Sequence, residues 1–142
     1  MAKELRQQHK TGENLMALII DLKPSERLIV GSALITNDDA RTRLHIEGTA
    51  PILREKDIML EPDANSPCKK IYFTVQLMYI SPNPEKLHKT YFHLIEDIQH
   101  AAPSTALFFA KINSHILNGE YYKAMKEARN LIEHEREMLA NV

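Results

Sequence analysis

Cysteine is almost missing from this chain. Cys68 is the single one among 142 residues, so no intramolecular disulfide is available and the fold must rest on its apolar core. Cys68 follows Ser66-Pro67 and reads as a small helix-start residue rather than a nucleophile. Glycine is sparse as well. Four glycines spread along the chain leave no glycine-rich loop to cradle a phosphate. No apolar run approaches the roughly 18 residues of a membrane span. Leu15 to Ile20 is too short for the apolar core of a signal peptide and leads straight into Asp21, which makes the cytoplasm the expected compartment. Charge of one sign is also lacking. A formal net charge of -1 excludes a polycation that coats nucleic acid, while leaving room for a local basic patch.

Chemistry is absent in the same way. None of His9, His45, His88, His93, His100, His115 and His134 forms the i,i+4 pair of a helical zinc site, and a structural site needs about four ligands. No metal and no cofactor are expected. Nothing resembles a nucleophile elbow. Glu55 and Asp57 alternate with Arg54 and Lys56, which reads as a solvated ionic stretch rather than an acid/base pair. These absences point to a binding or regulatory protein and not to an enzyme.

What is present divides into two halves. With 44% apolar residues, a chain of this length makes one domain or two small coupled ones, and it buries roughly two-thirds of its unfolded surface. Residues 1–14 are polar and weakly patterned, a mobile N-terminal extension or alternatively a short helix. Leu18, Ile20 and Leu22 alternate with Ile19, Asp21 and Lys23, which is strand spacing. Lys23-Pro24-Ser25-Glu26 reads as a turn. Arg27 to Thr36 reads as a second strand, apolar on both faces, with Gly31 marking a bulge or a close backbone approach. Asn37-Asp38-Asp39-Ala40 is the next turn. Arg41 to Glu47 alternates most cleanly: Thr42, Leu44 and Ile46 inward, Arg41, Arg43, His45 and Glu47 outward. Ile52 to Leu60 suits a strand or a short helical turn equally.

Pro62, Ser66 and Pro67 mark a hinge over residues 61–66, and Ser66-Pro67 resembles an N-cap followed by proline at the first helical position. A helix over residues 67–80 follows, with Ile71, Val75 and Met78 on one stripe. Leu87, Tyr91, Leu94 and Ile98 give a second helix, and Phe108, Ile112 and Ile116, with Leu117 alongside, a third; the two are separate or one kinked helix. Asn118-Gly119 supplies a C-cap. A fourth helix rests on Tyr121, Met125, Ala128, Ile132 and Leu139. The expected fold is α+β: an N-terminal antiparallel β-hairpin domain over residues 15–60, then a bundle of three to four amphipathic helices over residues 67–142.

Two stretches carry a family pattern. One is Ile52-Leu53-Arg54-Glu55-Lys56-Asp57-Ile58-Met59, followed by Ala64-Asn65-Ser66-Pro67-Cys68-Lys69-Lys70-Ile71-Tyr72-Phe73; the other is Gly119-Glu120-Tyr121-Tyr122-Lys123-Ala124. With Leu22-Lys23-Pro24-Ser25-Glu26-Arg27, they resemble the FlbT family of bacterial flagellin regulators, over about Leu18 to Glu135. The resemblance implies a post-transcriptional regulator, most often a repressor, that associates with the 5′ untranslated leader of flagellin messenger RNA and sets its translation or decay. It also implies flagellin and the FlaF protein as candidate partners.

The residues themselves offer Arg41, Arg43, Arg54, Lys56, Lys69 and Lys70 as locally clustered cations, with Tyr72 as an aromatic candidate for base stacking. Arg54 has a plainer role open to it, pairing with Glu55, Asp57 or a turn carboxylate. Tyr72 at helical spacing has one too, as ordinary core. The rival function is a protein-interaction module: the helical bundle binds flagellin or a flagellar co-regulator in a groove, and RNA contact is indirect. An open strand edge or a spare helix face makes a homodimer an option.

Overall fold

The computed structural model describes residues 4–10 and 13–142, with side chains described from Ala17 onward. The chain divides into two compact units, Met1–Ile58 and Met59–Val142. Among the described residues the first unit holds six strands and one helical turn, and the second is helical, so the α+β architecture holds.

Unit 1 contains two three-stranded antiparallel sheets. β1 (Glu4–Lys10), β2 (Glu13–Leu22) and β5 (Thr42–Glu47) form the first, with β2 in the centre. β1 lies within the segment read from sequence as a polar extension, whose residues 1–3 and 11–12 are outside the described residues. β3 (Arg27–Val30), β4 (Ala33–Thr36) and β6 (Ile52–Arg54) form the second, in the order β4-β3-β6. Ile20 and Leu22 from one sheet and Leu28 from the other are fully buried together, with Leu18, Val30, Leu44, Ile46 and Ile52 packed around them. The alternation that turns Leu44 and Ile46 inward is the one expected from sequence; Thr42, at the end of the strand, is exposed.

The single strand expected over Arg27 to Thr36 is a hairpin instead. It folds at Gly31-Ser32, where Val30 pairs with Ala33. Gly31 has φ +62°, the sign required at the first central position of the two-residue turn that suits twisted strands. The ambiguous stretch after Ala50 resolves into both alternatives in sequence, strand β6 and then one 3-10 turn over Glu55–Asp57.

Two turns position β5. Glu26 N–H bonds the Lys23 carbonyl at 3.1 Å across Pro24-Ser25, and Ser25 takes φ +64°, so this is the turn type that places a left-handed residue after proline. The Asn37 side-chain amide donates to the carbonyls of Lys23 (2.8 Å) and Ala40 (2.9 Å). One side chain therefore ties the first turn to the residue just before Arg41.

Unit 2 has four helices: α1 (Pro67–Ile80), α2 (His88–Ala101), α3 (Ala106–Leu117) and α4 (Tyr121–Ala140). α1 packs on α2 and α4, and α4 packs on α3. Pro84 and Pro103 open the short 3-10 turns that lead into α2 and α3, so these are separate helices. The core is Ile71, Val75, Met78, Tyr91, Ile95, Phe109, Ile112, Met125, Ala128 and Leu131, all buried. Phe109 and Leu131 take the inward positions that the sequence pattern gave to Phe108 and Ile132; Leu117 and Leu139 are exposed. The Tyr91 hydroxyl donates to Asn113 Oδ1 at 2.7 Å, which satisfies its one polar atom in a buried setting. α3 ends in a Schellman motif: Gly119, φ +73°, donates to the Ile116 carbonyl and Glu120 to the His115 carbonyl.

Candidate nucleic-acid interface

The outward row of β5 presents Arg41 just before the strand, then Arg43, His45 and Glu47, all exposed. Arg43 sits directly across from Asp21 of β2, and its Nε donates to Asp21 Oδ1 at 2.9 Å. That hydrogen bond holds the Asp21 carboxyl below its usual range, and the charges of Arg43, Arg41 and Arg54 act in the same direction. Three of the candidate arginines thus gather round one carboxylate.

Arg54 plays a different part from the other two. Its side chain is only 11% exposed. Nη2 donates to the Asp21 backbone carbonyl at 3.1 Å and lies 3.5 Å from Glu26 Oε2. The carboxylate it meets is thus the turn acid, one of the partners open to it from sequence. Arg54 links β6 to the end of β2 and to the Pro24-Ser25 turn, so it supports the strand that carries Arg43. Glu55, next in the chain, accepts the Arg27 backbone N–H at 2.6 Å. Lys56 is exposed on the 3-10 turn. The two exposed cations beside Asp21 are Arg41 and Arg43, and Arg54 is turned inward to Glu26.

The remaining candidates belong to unit 2. Lys69 and Lys70 lie in the first turn of α1. Lys69 is half-buried, with its Nζ 3.3 Å from Asn65 Oδ1, and Lys70 is exposed. Cations in this turn oppose the helix dipole. The opposition is offset by Glu135 of α4, a buried carboxylate that accepts the Cys68 backbone N–H at 3.1 Å and the Ser66 hydroxyl at 2.6 Å. Tyr72 is 3% exposed. Its hydroxyl accepts from Arg129 Nη2 at 2.8 Å, and the Arg129 guanidinium lies 5.2 Å over its ring. Tyr72 is therefore a core residue that fixes Arg129, a cation the sequence pattern did not single out. Glu135 and Asn37 were also missed, because a lone Glu late in an amphipathic helix and an Asn in a turn carry no local sign of distant partners.

Unit 2 also holds a mostly apolar cavity of about 460 Å³ between the start of α1 and the ends of α2 and α4, with Ile98, Ala101, Met138 and Leu139 in its wall. Among the described residues, no group of three or more His, Cys, Asp and Glu is placed to hold a metal ion. No helix among them is long and apolar enough to cross a membrane.

Comparison with known proteins identifies the family. The model of the family described as flagellar protein FlbT matches residues 18–139. The chain belongs to the FlbT family. It is 52% identical over 124 residues to the probable flagellum biosynthesis repressor protein FlbT 1 of Bradyrhizobium diazoefficiens, covering 87% of this chain and 85% of that protein. It is 43% identical to the probable repressor FlbT of Rhodopseudomonas palustris, covering 88% and 99%. It is 33% identical to the flagellum biosynthesis repressor FlbT of Caulobacter vibrioides, covering 89% and 92%. No solved structure matches the chain. FlbT membership places the chain among regulators of flagellum biosynthesis and not among enzymes.

Proposed function

We propose that the chain acts after transcription, by associating with the 5′ untranslated leader of flagellin messenger RNA and controlling its translation or decay. The observation that carries this reading is the exposed pair Arg41 and Arg43, held on the outward side of an edge strand with Arg54 packed behind them. Guanidinium groups suit RNA because their planar forks grip phosphate and stack on unpaired bases. Lys56 adds charge in unit 1, and Lys69 and Lys70 offer a further contact on unit 2. Arg54 and Tyr72 contribute by positioning, given their burial.

The test is a titration of labelled leader RNA at two salt concentrations. Saturable binding that weakens as salt rises is expected, with a log-log slope that falls by about 1 to 2 when Arg41→Ala and Arg43→Ala are combined. Unchanged affinity and slope in that double variant would remove this surface from the reading.

A second reading has an observation of its own. The apolar cavity at the α1, α2 and α4 ends, with Leu139 exposed at its wall, suits a helix from flagellin or FlaF laid against unit 2. Tight flagellin binding without any RNA shift would favour it.

A further inference from the structure

We propose that β4 is a self-association strand: two copies of the chain pair β4 against β4 antiparallel about a two-fold axis at Ile35, joining their second sheets into one of six strands. Four strands lie at the edges of the two sheets, and three of them carry deterrents to pairing. β1 contains Glu4, Arg6 and Lys10; β5 contains Arg43 and Glu47; β6 is three residues long and ends in Arg54. Charge and shortness are the usual means by which proteins protect a sheet edge. β4, Ala33-Leu34-Ile35-Thr36, has no charge and no proline, and all four of its residues are exposed, Leu34 to 54% and Ile35 to 37%. The uncharged run extends from Leu28 to Asn37.

The register fixes how a second copy fits. In a two-residue hairpin the pair beside the turn, Val30 and Ala33, exchanges hydrogen bonds, and bonded pairs then alternate along the ladder. Ala33 and Ile35 accordingly turn their backbone groups toward β3. Leu34 and Thr36 turn theirs to the open edge. An antiparallel partner must set outward residues against outward residues, and centring on Ile35 does so entirely within β4: Leu34 bonds Thr36 of the second copy, and Thr36 bonds Leu34. Ile35 then faces its own counterpart at a non-bonded position, where side chains approach most closely.

Charge selects the same arrangement. Asp38 and Asp39 follow β4 directly after Asn37. A parallel partner would stack these acids side by side, whereas the two-fold carries them to opposite ends and sets each pair against the neutral Gly31-Ser32 turn. An interface this short is small beside a standard one, so the dimer is weak and reversible.

Sedimentation equilibrium on the full chain, taken to several hundred micromolar, tests this. The unaltered protein is expected to show a monomer–dimer equilibrium. Ile35→Lys sets two ammonium groups against each other and weakens dimerisation by about tenfold or more, and so does Ile35→Glu. An equimolar mixture of the Ile35→Lys and Ile35→Glu chains recovers the dimer as a heterodimer, which a change in folding alone cannot produce. Circular dichroism melts confirm that both variants fold, as the exposure of Ile35 permits. A protein that remains monomeric throughout, a dimer indifferent to both substitutions, or a mixture with no recovery would each overturn the proposal. Thr36→Pro, which removes an outward N–H only, is the further variant should the charged ones fail to fold.

Discussion

Glu135 caps a helix it does not belong to. Its Oε2 accepts the Cys68 backbone N–H at 3.1 Å, so a carboxylate near the end of α4 sits on the positive end of α1. Its Oε1 takes the Ser66 hydroxyl, and the Ser66 oxygen in turn accepts the Lys69 N–H at 3.2 Å. One buried side chain satisfies a helix-end donor directly and steadies the residue that satisfies another. Glu135→Ala leaves the Cys68 N–H without its acceptor in a buried place, at a cost of about 2–3 kcal/mol. Glu135→Gln keeps one oxygen and should cost about half that. Urea melts of the full chain measure both, and equal losses in the two variants would show that the carboxylate's charge carries the effect.

Gln76 performs a similar service for the start of unit 2. It is 3% exposed on α1, and its amide pairs both backbone groups of Met59: Met59 N–H to Oε1 at 2.7 Å, and Nε2 to the Met59 carbonyl at 2.9 Å. The amide imitates a neighbouring strand. Gln76→Glu keeps the shape but loses the donor and faces a carbonyl with a carboxylate. It should destabilise more than Gln76→Ala, which costs about 1–3 kcal/mol. Thermal melts at pH 7 rank the two, and the reverse order would mean that packing rather than hydrogen bonding dominates there.

These two residues also show where the sequence stops being legible. The helices could be placed because Ser66-Pro67, Pro84, Pro103 and Asn118-Gly119 punctuate them, and punctuation acts locally. Strand β5 could be read because polar and apolar residues alternate on a sheet with one wet face. The hairpin at Gly31-Ser32 could not, since β4 is apolar on both faces yet exposed, which hides its edge position. The pairing of β2 with β5 passes over two intervening strands, so no turn signal announces it. Of the candidate contact residues, the exposure of Arg41 and Arg43 followed from alternation. For Arg54 the sequence left contact and pairing with a turn carboxylate both open, and it could not choose between them because the partner, Glu26, lies far earlier in the chain, before β3 begins.

The same burial governs Cys68. Desolvation first, then the neighbouring Glu135 carboxylate, push its thiol from 9.0 up to about 12. A raised value means that the folded protein resists ionising a thiol that the unfolded chain ionises freely. The stability is therefore complete below pH 9.0, and it falls away as pH rises from there towards about 12. Alkylation by iodoacetamide at pH 8 should be slow and should accelerate only with denaturant, since the thiolate is the reactive species. Rapid modification of the native protein would show that the start of α1 opens readily.

Arg54 and the pair Arg41–Arg43 are expected to separate folding from binding. Arg54 lies against Glu26, with side chains 11% and 17% exposed, and it also donates to the Asp21 carbonyl. Arg54→Ala takes the guanidinium away from a mostly buried carboxylate, and should cost about 2–4 kcal/mol of stability. Arg43 meets Asp21 with the two side chains 65% and 53% exposed, where water screens the pair and its loss matters little to folding. Arg41→Ala with Arg43→Ala should therefore melt like the unaltered protein while losing RNA affinity. Arg54→Lys keeps the charge but not the planar guanidinium whose Nη2 meets both the Asp21 carbonyl and Glu26, and should retain only part of the stability. Differential scanning calorimetry and RNA titration on the same preparations decide the matter. A double variant that unfolds early, or an Arg54→Ala chain that melts normally but fails to bind, would exchange the structural and contact roles assigned to these arginines.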